Sequence, residues 1–467
     1  MKLFISNLAL FIGACLVILI PSIINGYPIL FSDTGTYILS GMEAYVPIDR
    51  PYLYGLFLRM TSLWISLWYT AIFQAIFVNL FILAVFKYAF DSLYAFRNTL
   101  ISVAVLSITT SLAYFTNHIV PDIFAPIVIM GVVLIVSRPK LPAWLIIILL
   151  VVVTFMNLSH FTNLLITTGL SFAAVLGGLL FFRKQWFRER AMALVLLGIL
   201  SLSSWILLPT VNYIMGEGFV TSKAKNIFMM GNLIENGLMK SYLEETCPEK
   251  EYELCNYLDT LPDQTYTFVW EYDSPLYDGD CMDVTWVDCW LQRDLEYGII
   301  IDDMFARRDY LWKFIGISIK SSLTQAISYK IQARRPEGIG SPVRYPMEKH
   351  LKRDYERYIS ARQQKEELHF KALSLSQSIF VPLAFLFLAI CNLVPGIRKR
   401  IPLSLRIFTL GIFLALIVNA FACATFSHFN PRYQSRVIWL IPMLAIGYLL
   451  QFKDLGIKIF PFKTGNR

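Results

Sequence analysis

Ten apolar runs dominate this sequence, and they constrain the fold more than any other feature. They fall at 3–24, 63–86, 99–115, 119–137, 141–157, 163–182, 191–211, 374–394, 402–422 and 437–452. Crossing a hydrocarbon core of about 30 Å takes roughly 17–25 residues, which is the scale of these runs. Composition agrees. Of 467 residues, 56% are hydrophobic and only 16% charged, more apolar surface than a soluble fold can hide. The first run follows directly on Met1-Lys2 and is interrupted only by Asn7 and Pro21. It is longer than the apolar part of a signal peptide and lacks a small-x-small cleavage site, so it is expected to be a retained span.

The net charge of +8 would suggest nucleic acid in a soluble protein. Here it follows from orientation. Basic residues cluster in alternate loops: Lys87 and Arg97; Arg138 and Lys140; Arg183, Lys184, Arg188 and Arg190; Arg398, Lys399 and Arg400; and the tail with Lys453, Lys458, Lys463 and Arg467. With ten spans all of these share one side, which the positive-inside rule makes cytoplasmic, together with both termini. No nucleic-acid partner is implied. The expected fold class is an all-α polytopic membrane protein of about ten transmembrane helices with a mainly helical extracytoplasmic segment. Three parts are expected: a membrane module of seven spans at 1–211, an extracytoplasmic segment at 212–373, and a module of three spans at 374–467.

The opposite set of segments comprises 25–62, the junction 116–122, the short loop 158–162, the long stretch 212–373, and 423–436. The long stretch is large enough for a small soluble domain or a set of packed amphipathic segments. It holds Cys247, Cys255, Cys281 and Cys289, while Cys15, Cys391 and Cys423 lie in or at the ends of spans. Four cysteines in an oxidising compartment point to two disulfides, with three possible pairings. The local pairs, Cys247 with Cys255 and Cys281 with Cys289, are the expectation. A zinc site would call for C-x-x-C spacing, which is absent.

Polar groups converge on the same face. All five histidines, His118, His160, His350, His369 and His428, fall in these outer segments or at outer span ends. Asn117-His118 precedes Pro121-Asp122, Asn157 and His160 flank a turn, and His428 precedes Asn430, Arg432 and Tyr433. Asp33 follows soon after the first span. Charged groups near membrane depth need a cavity or a partner. Asp33 also suits the cap of a helix beginning near Thr34, and Asp122 the cap of the fourth span.

This pattern resembles the polytopic glycosyltransferases of the GT-C superfamily, which use lipid-linked sugar donors. Three stretches carry the resemblance: Ser32-Asp33-Thr34-Gly35-Thr36-Tyr37 with Asp49-Arg50-Pro51-Tyr52-Leu53-Tyr54; Pro121-Asp122-Ile123-Phe124; and Pro431-Arg432-Tyr433. Topology is similar over the whole chain. The family's D-x-D and its Asp-Glu pair are absent from the first outer loop, and its R-P-P-Gly element reads Arg50-Pro51-Tyr52-Leu53.

The resemblance implies an inverting transfer on the non-cytoplasmic face, in a bacterial inner membrane with that face toward the periplasm or exterior. The donor would be a polyprenyl-phosphate sugar and the acceptor a glycan, lipid or protein. Asp33 is the expected general base. Asp122 and His118 would support it or orient the acceptor. Arg432 and Arg50, with Tyr433, are expected at the donor phosphate, and Tyr37, His160 and His428 at the substrates. A divalent metal is not demanded; if present, Asp33 and Asp122 would be its ligands. A transporter or flippase of a lipid-linked or polysaccharide substrate is one alternative, although no inverted repeat is visible. A membrane O-acyltransferase using His160 is another.

Overall fold

The computed structural model describes residues 2–138, 140–181, 184–278, 281, 284–331, 337 and 340–454, with side chains left out at 180–187. Among the basic loop residues, Arg183, Lys458, Lys463 and Arg467 and the Lys184 side chain lie outside the described residues. The described chain is helical, with no strand.

Among the described residues, six helices are long and apolar enough to cross a membrane: Leu67–Ala89, Phe161–Leu179, Arg188–Ile214, Lys371–Leu393, Leu403–Phe426 and Pro431–Asp454. Four shorter apolar helices, Lys2–Ile18, Ala95–Thr109, Pro121–Ser137 and Ala143–Asn157, coincide with the remaining runs. At about 1.5 Å per residue they reach roughly 22–26 Å, less than a full hydrocarbon core. The breaks have local causes. The run at 3–24 divides after Ile18 and restarts as Ile20–Asn25, with Pro21 at the restart, where its missing N–H costs no helical bond. The run at 99–115 divides where Thr110 turns extended.

The last span differs from the sequence expectation in one consequential way. Residues 431–436 are helix rather than loop. Asn430 caps Pro431–Ile438, its side chain accepting from the Arg432 N–H at 3.0 Å, with Pro431 in the first turn. Arg432 and Arg436 therefore stand one turn apart on one helix face.

The bundle has two chemically distinct ends. Pro431–Asp454 runs from Arg432 to Asp454, and Pro121–Ser137 runs from Asp122 to Arg138. At the far end Arg97 pairs with Asp454 at 2.7 Å, Arg138 donates to the Ala89 carbonyl at 3.1 Å, and Arg190 donates to the Val136 carbonyl at 3.2 Å. The Asp–Arg cluster described below occupies the near end.

Packing gathers into two main cores. One apolar core takes residues from Ala14 to Phe452, so the first and last helices share it, and it includes Val343, Met347, Leu351 and Tyr358 from the long segment. The second gathers Ile227, Leu243, Phe268, Trp290, Tyr297 and Tyr310. Buried Asp354 ties the long segment to the bundle. It accepts from Tyr27 Oη at 2.6 Å, Ser66 Oγ at 2.6 Å and the Leu67 N–H at 3.1 Å, setting an anion on the N-terminus of a membrane helix.

The helix Arg308–Ile327 packs along Leu403–Phe426. Its outward face exposes Trp312, Ile315, Ile319, Leu323 and Ile327, an apolar stripe suited to a bilayer surface rather than to water. The long segment is thus a set of amphipathic helices seated on the bundle. Its cysteines form the local disulfides Cys247–Cys255, S–S 2.05 Å, and Cys281–Cys289, S–S 2.18 Å. Non-reducing peptide mapping should find no free thiol at these four positions, and free thiols there would refute the pairing. Each bridge closes a short loop, so reduction should cost about 2–3 kcal/mol apiece.

Candidate active site

Two backbone segments far apart in sequence are joined before any charge is placed. The Ile29 N–H donates to the Asn117 carbonyl and the Ile119 N–H donates to the Ile29 carbonyl, each at 3.0 Å. Thr34 Oγ1 accepts from the Phe31 N–H at 3.0 Å and donates to the Ile119 carbonyl at 2.9 Å. Asn117 is itself held, donating to the Ile18 carbonyl at 2.6 Å and the Ala113 carbonyl at 2.7 Å. This bridge sets the stretch entering Asp33 beside the stretch entering Asp122.

Asp33 lies inside the first turn of the helix Ser32–Glu43 and is not its cap. That corrects the capping reading: the helix begins two residues before Thr34, and the Thr34 hydroxyl takes the Phe31 N–H. Asp122 is likewise no cap, since both its oxygens are taken by arginines. Its Oδ2 accepts from Arg432 Nε at 2.5 Å and its Oδ1 from Arg436 at 3.0 Å. The helix Ser32–Glu43 is packed tightly against its neighbour Leu53–Ser62. A Cβ on Gly41 would clash with the Gly55 carbonyl, so only glycine permits this approach.

The charges form one chain. Asp33 pairs with Arg50 at 3.1 Å and lies 3.9 Å from Arg432. Arg50 also grips Asp49 and stacks 5.2 Å over Tyr37. The Arg432 guanidinium stacks 4.2 Å over Phe31. Arg436 continues inward, donating to Asn419 Oδ1 at 3.2 Å and to Cys423 Sγ at 3.3 Å. Three carboxylates thus meet three guanidiniums, and the cluster is neutral. Exposure separates them: the Asp33 side chain is 32% exposed, Arg50 12%, Arg432 10%, Asp122 2% and Arg436 1%. Burial pushes the Asp33 carboxyl up, but the Arg50 and Arg432 charges outweigh it and hold the group below the usual carboxylate value.

The histidines divide. His160 sits half-buried in the turn 158–160, its Nδ1 accepting from the Thr162 N–H at 3.2 Å. Burial, then the charge of Arg436, holds its pKa down to about 3, so the ring is neutral at working pH. His428, close to Ser427 and Asn430 and 5.4 Å from the Tyr433 ring, is also pushed down by burial. His118 is fully buried among Phe31, Tyr114 and Phe115, at ring separations of 5.7, 5.5 and 6.4 Å. Its surroundings are those of a packed ring. Tyr37, 2% exposed, acts as the platform beneath Arg50. His350 binds Glu43 at 2.8 Å, and His369 is exposed in a loop outside the cluster.

Arg436 and Asn419 belong to the cluster and were not singled out from sequence, and Asp49, which stands in one of the quoted stretches, was given no role. Arg436 carries a signal in hindsight: it stands four residues after Arg432 at the head of an apolar run. A divalent metal does not fit. Asp122 is saturated by two guanidiniums, and Asp33 is already paired with Arg50. Among the described residues, no group of three or more His, Cys, Asp or Glu side chains is set to hold a metal. A cavity of about 320 Å³ lined by Glu251, Tyr252, Glu253, Gln292, Arg293, Glu296 and Ile299 lies apart from the cluster.

Comparison with protein families, with curated proteins and with solved structures yields no match to this chain.

Proposed function

We propose that this chain is a membrane glycosyltransferase that moves a sugar from a polyprenyl-phosphate donor to an acceptor hydroxyl at the Asp33 end of the bundle. One observation carries the reading: a partly exposed carboxylate stands between two guanidiniums, and one of these, Arg432, begins an apolar helix. A base for the acceptor and cations for a leaving phosphate are the two things such a transfer needs.

In this reading Asp33 takes the acceptor proton as the acceptor oxygen bonds to the anomeric carbon. The carbon–oxygen bond to phosphate breaks, with its electron pair leaving on the phosphate. Arg432 and Arg50 meet that charge. A single displacement inverts the anomeric centre. The cluster is neutral without substrate, so the donor phosphate has to compete with carboxylates for the arginines. The 3.9 Å contact between Arg432 and Asp33 is the loosest of the links and the natural one to open. Asp122 is then a positioning residue that holds Arg432 through Nε. Neutral His160 and His428 remain to hydrogen-bond the substrates.

Arg432 tests the donor-phosphate role. Arg432→Lys keeps the charge but loses the planar fork. Affinity for a polyprenyl-phosphate sugar in nanodiscs should fall about 10–100-fold, the range of a charge-assisted hydrogen bond, and further in Arg432→Ala. Unchanged affinity in both variants rejects the role.

All ten apolar helices cross the bilayer in this reading, with the basic end cytoplasmic and the Asp33 end external. Reporter fusions at Gly396 should score cytoplasmic and fusions near Asp280, which lies outside the described residues, external. An external Gly396 overturns the topology. The bilayer would be a bacterial inner membrane, with the active end toward the periplasm or exterior.

A further inference from the structure

At the basic end of the bundle, the loop between Lys371–Leu393 and Leu403–Phe426 encloses a cavity of about 280 Å³ lined by Pro395, Arg398, Lys399 and Arg406. Its charge is uncompensated among the described residues. No Asp or Glu occurs between Glu367 and Asp454, and Asp454 is engaged by Arg97 at 2.7 Å. Among the described residues Arg398, Lys399 and Arg406 form no ion pair, and the Arg406 Nε is buried without a hydrogen-bond partner. A buried guanidinium nitrogen without an acceptor carries a desolvation cost that a bound anion would relieve.

The surroundings indicate which anion. The cavity sits where one apolar helix of membrane-spanning length ends and the next begins, which is the level of the lipid headgroups for a pair of spanning helices. Leu393, Val394 and Leu403 beside it are 75%, 43% and 52% exposed, an apolar rim suited to acyl chains. Basic pockets at this level hold phosphate-bearing headgroups. We propose that this cavity binds the phosphate headgroup of an anionic membrane lipid, with Arg398, Lys399 and Arg406 as its ligands. The site is independent of the glycosyl-transfer reading, because it shares no residue with the Asp33 cluster and lies at the other end of the helices.

The test is lipid retention by the full-length protein, measured by native mass spectrometry with phosphatidylglycerol against phosphatidylcholine. Phosphatidylglycerol should be retained preferentially. Arg406→Gln should weaken that retention about fivefold, and the triple change Arg398→Gln, Lys399→Gln and Arg406→Gln on the order of a hundredfold. Lys87→Gln with Lys140→Gln removes charge from other basic loops and should leave retention unchanged. Arg398→Lys with Lys399→Arg, which keeps the charge, should retain the lipid and guards against misfolding as the cause of loss. Equal retention of the two lipids, or no effect of the triple change, overturns the proposal. So does equal loss in the Lys87 and Lys140 control. Displacement of the lipid by millimolar inorganic phosphate would assign the cavity to a soluble ion and also overturn it.

Discussion

Asp33→Asn is expected to abolish most turnover, by about 10²–10⁴-fold, in a protein that melts normally. The substitution keeps shape and removes the proton acceptor together with the charge that faces Arg50 and Arg432. Stability should change little, because a first-turn carboxylate contributes about 0.3–1 kcal/mol through the helix dipole and the Asp33 side chain is partly exposed. The assay is glycosyl transfer in nanodiscs from a polyprenyl-phosphate sugar, alongside thermal melting. Normal turnover in a well-folded Asp33→Asn protein eliminates Asp33 as the base. The pH profile adds a second readout. A base must be ionised, and Arg50 and Arg432 hold Asp33 below the ordinary carboxylate value against burial. The acid limb of wild-type kcat/KM should therefore lie at lower pH than that of an ordinary carboxylate. Arg50→Gln removes one lowering charge, so its acid limb should move to higher pH.

Asp122→Asn should give the opposite pattern, a damaged fold. Asp122 is 2% exposed and compensates both Arg432 and Arg436, which is 1% exposed. Removing one side of such a network leaves buried cations facing each other and costs about 3–5 kcal/mol. The melting midpoint should fall well beyond that of Asp33→Asn. Adding Arg436→Gln should recover part of the loss, as a double-mutant cycle would show. A wild-type midpoint in Asp122→Asn would mean that the ion network does not hold this end of the bundle together. The contrast between the two acids separates a base from a positioning group, a distinction that their shared placement at helix ends could not supply.

Several residues became interpretable only through their neighbours. The sequence offered His118 as a group supporting Asp33 or orienting the acceptor and Tyr37 as a substrate contact; the structure adds that His118 is boxed by three aromatic rings and that Tyr37 lies beneath Arg50. Local sequence reports residue type and depth, but not which face of a turn a ring takes. Arg436 shows the same limit from the other side. It sits one turn beyond Arg432, yet its importance depends on Asp122, which is 314 positions away in the chain.

The sequence by itself determined the solvent this protein folds in and the helical class, and it favoured the two local disulfides among three possible pairings. Each of these follows from short-range information: apolar runs of membrane length, and cysteine pairs eight residues apart. Tertiary structure alone decided that Asp33 and Asp122 are links of one ion chain rather than caps. It also decided that the long segment lies on the bundle through Asp354, Gln325 and the helix Arg308–Ile327. These outcomes depend on contacts between residues tens to hundreds of positions apart, where buried charge must find a partner whatever its distance along the chain.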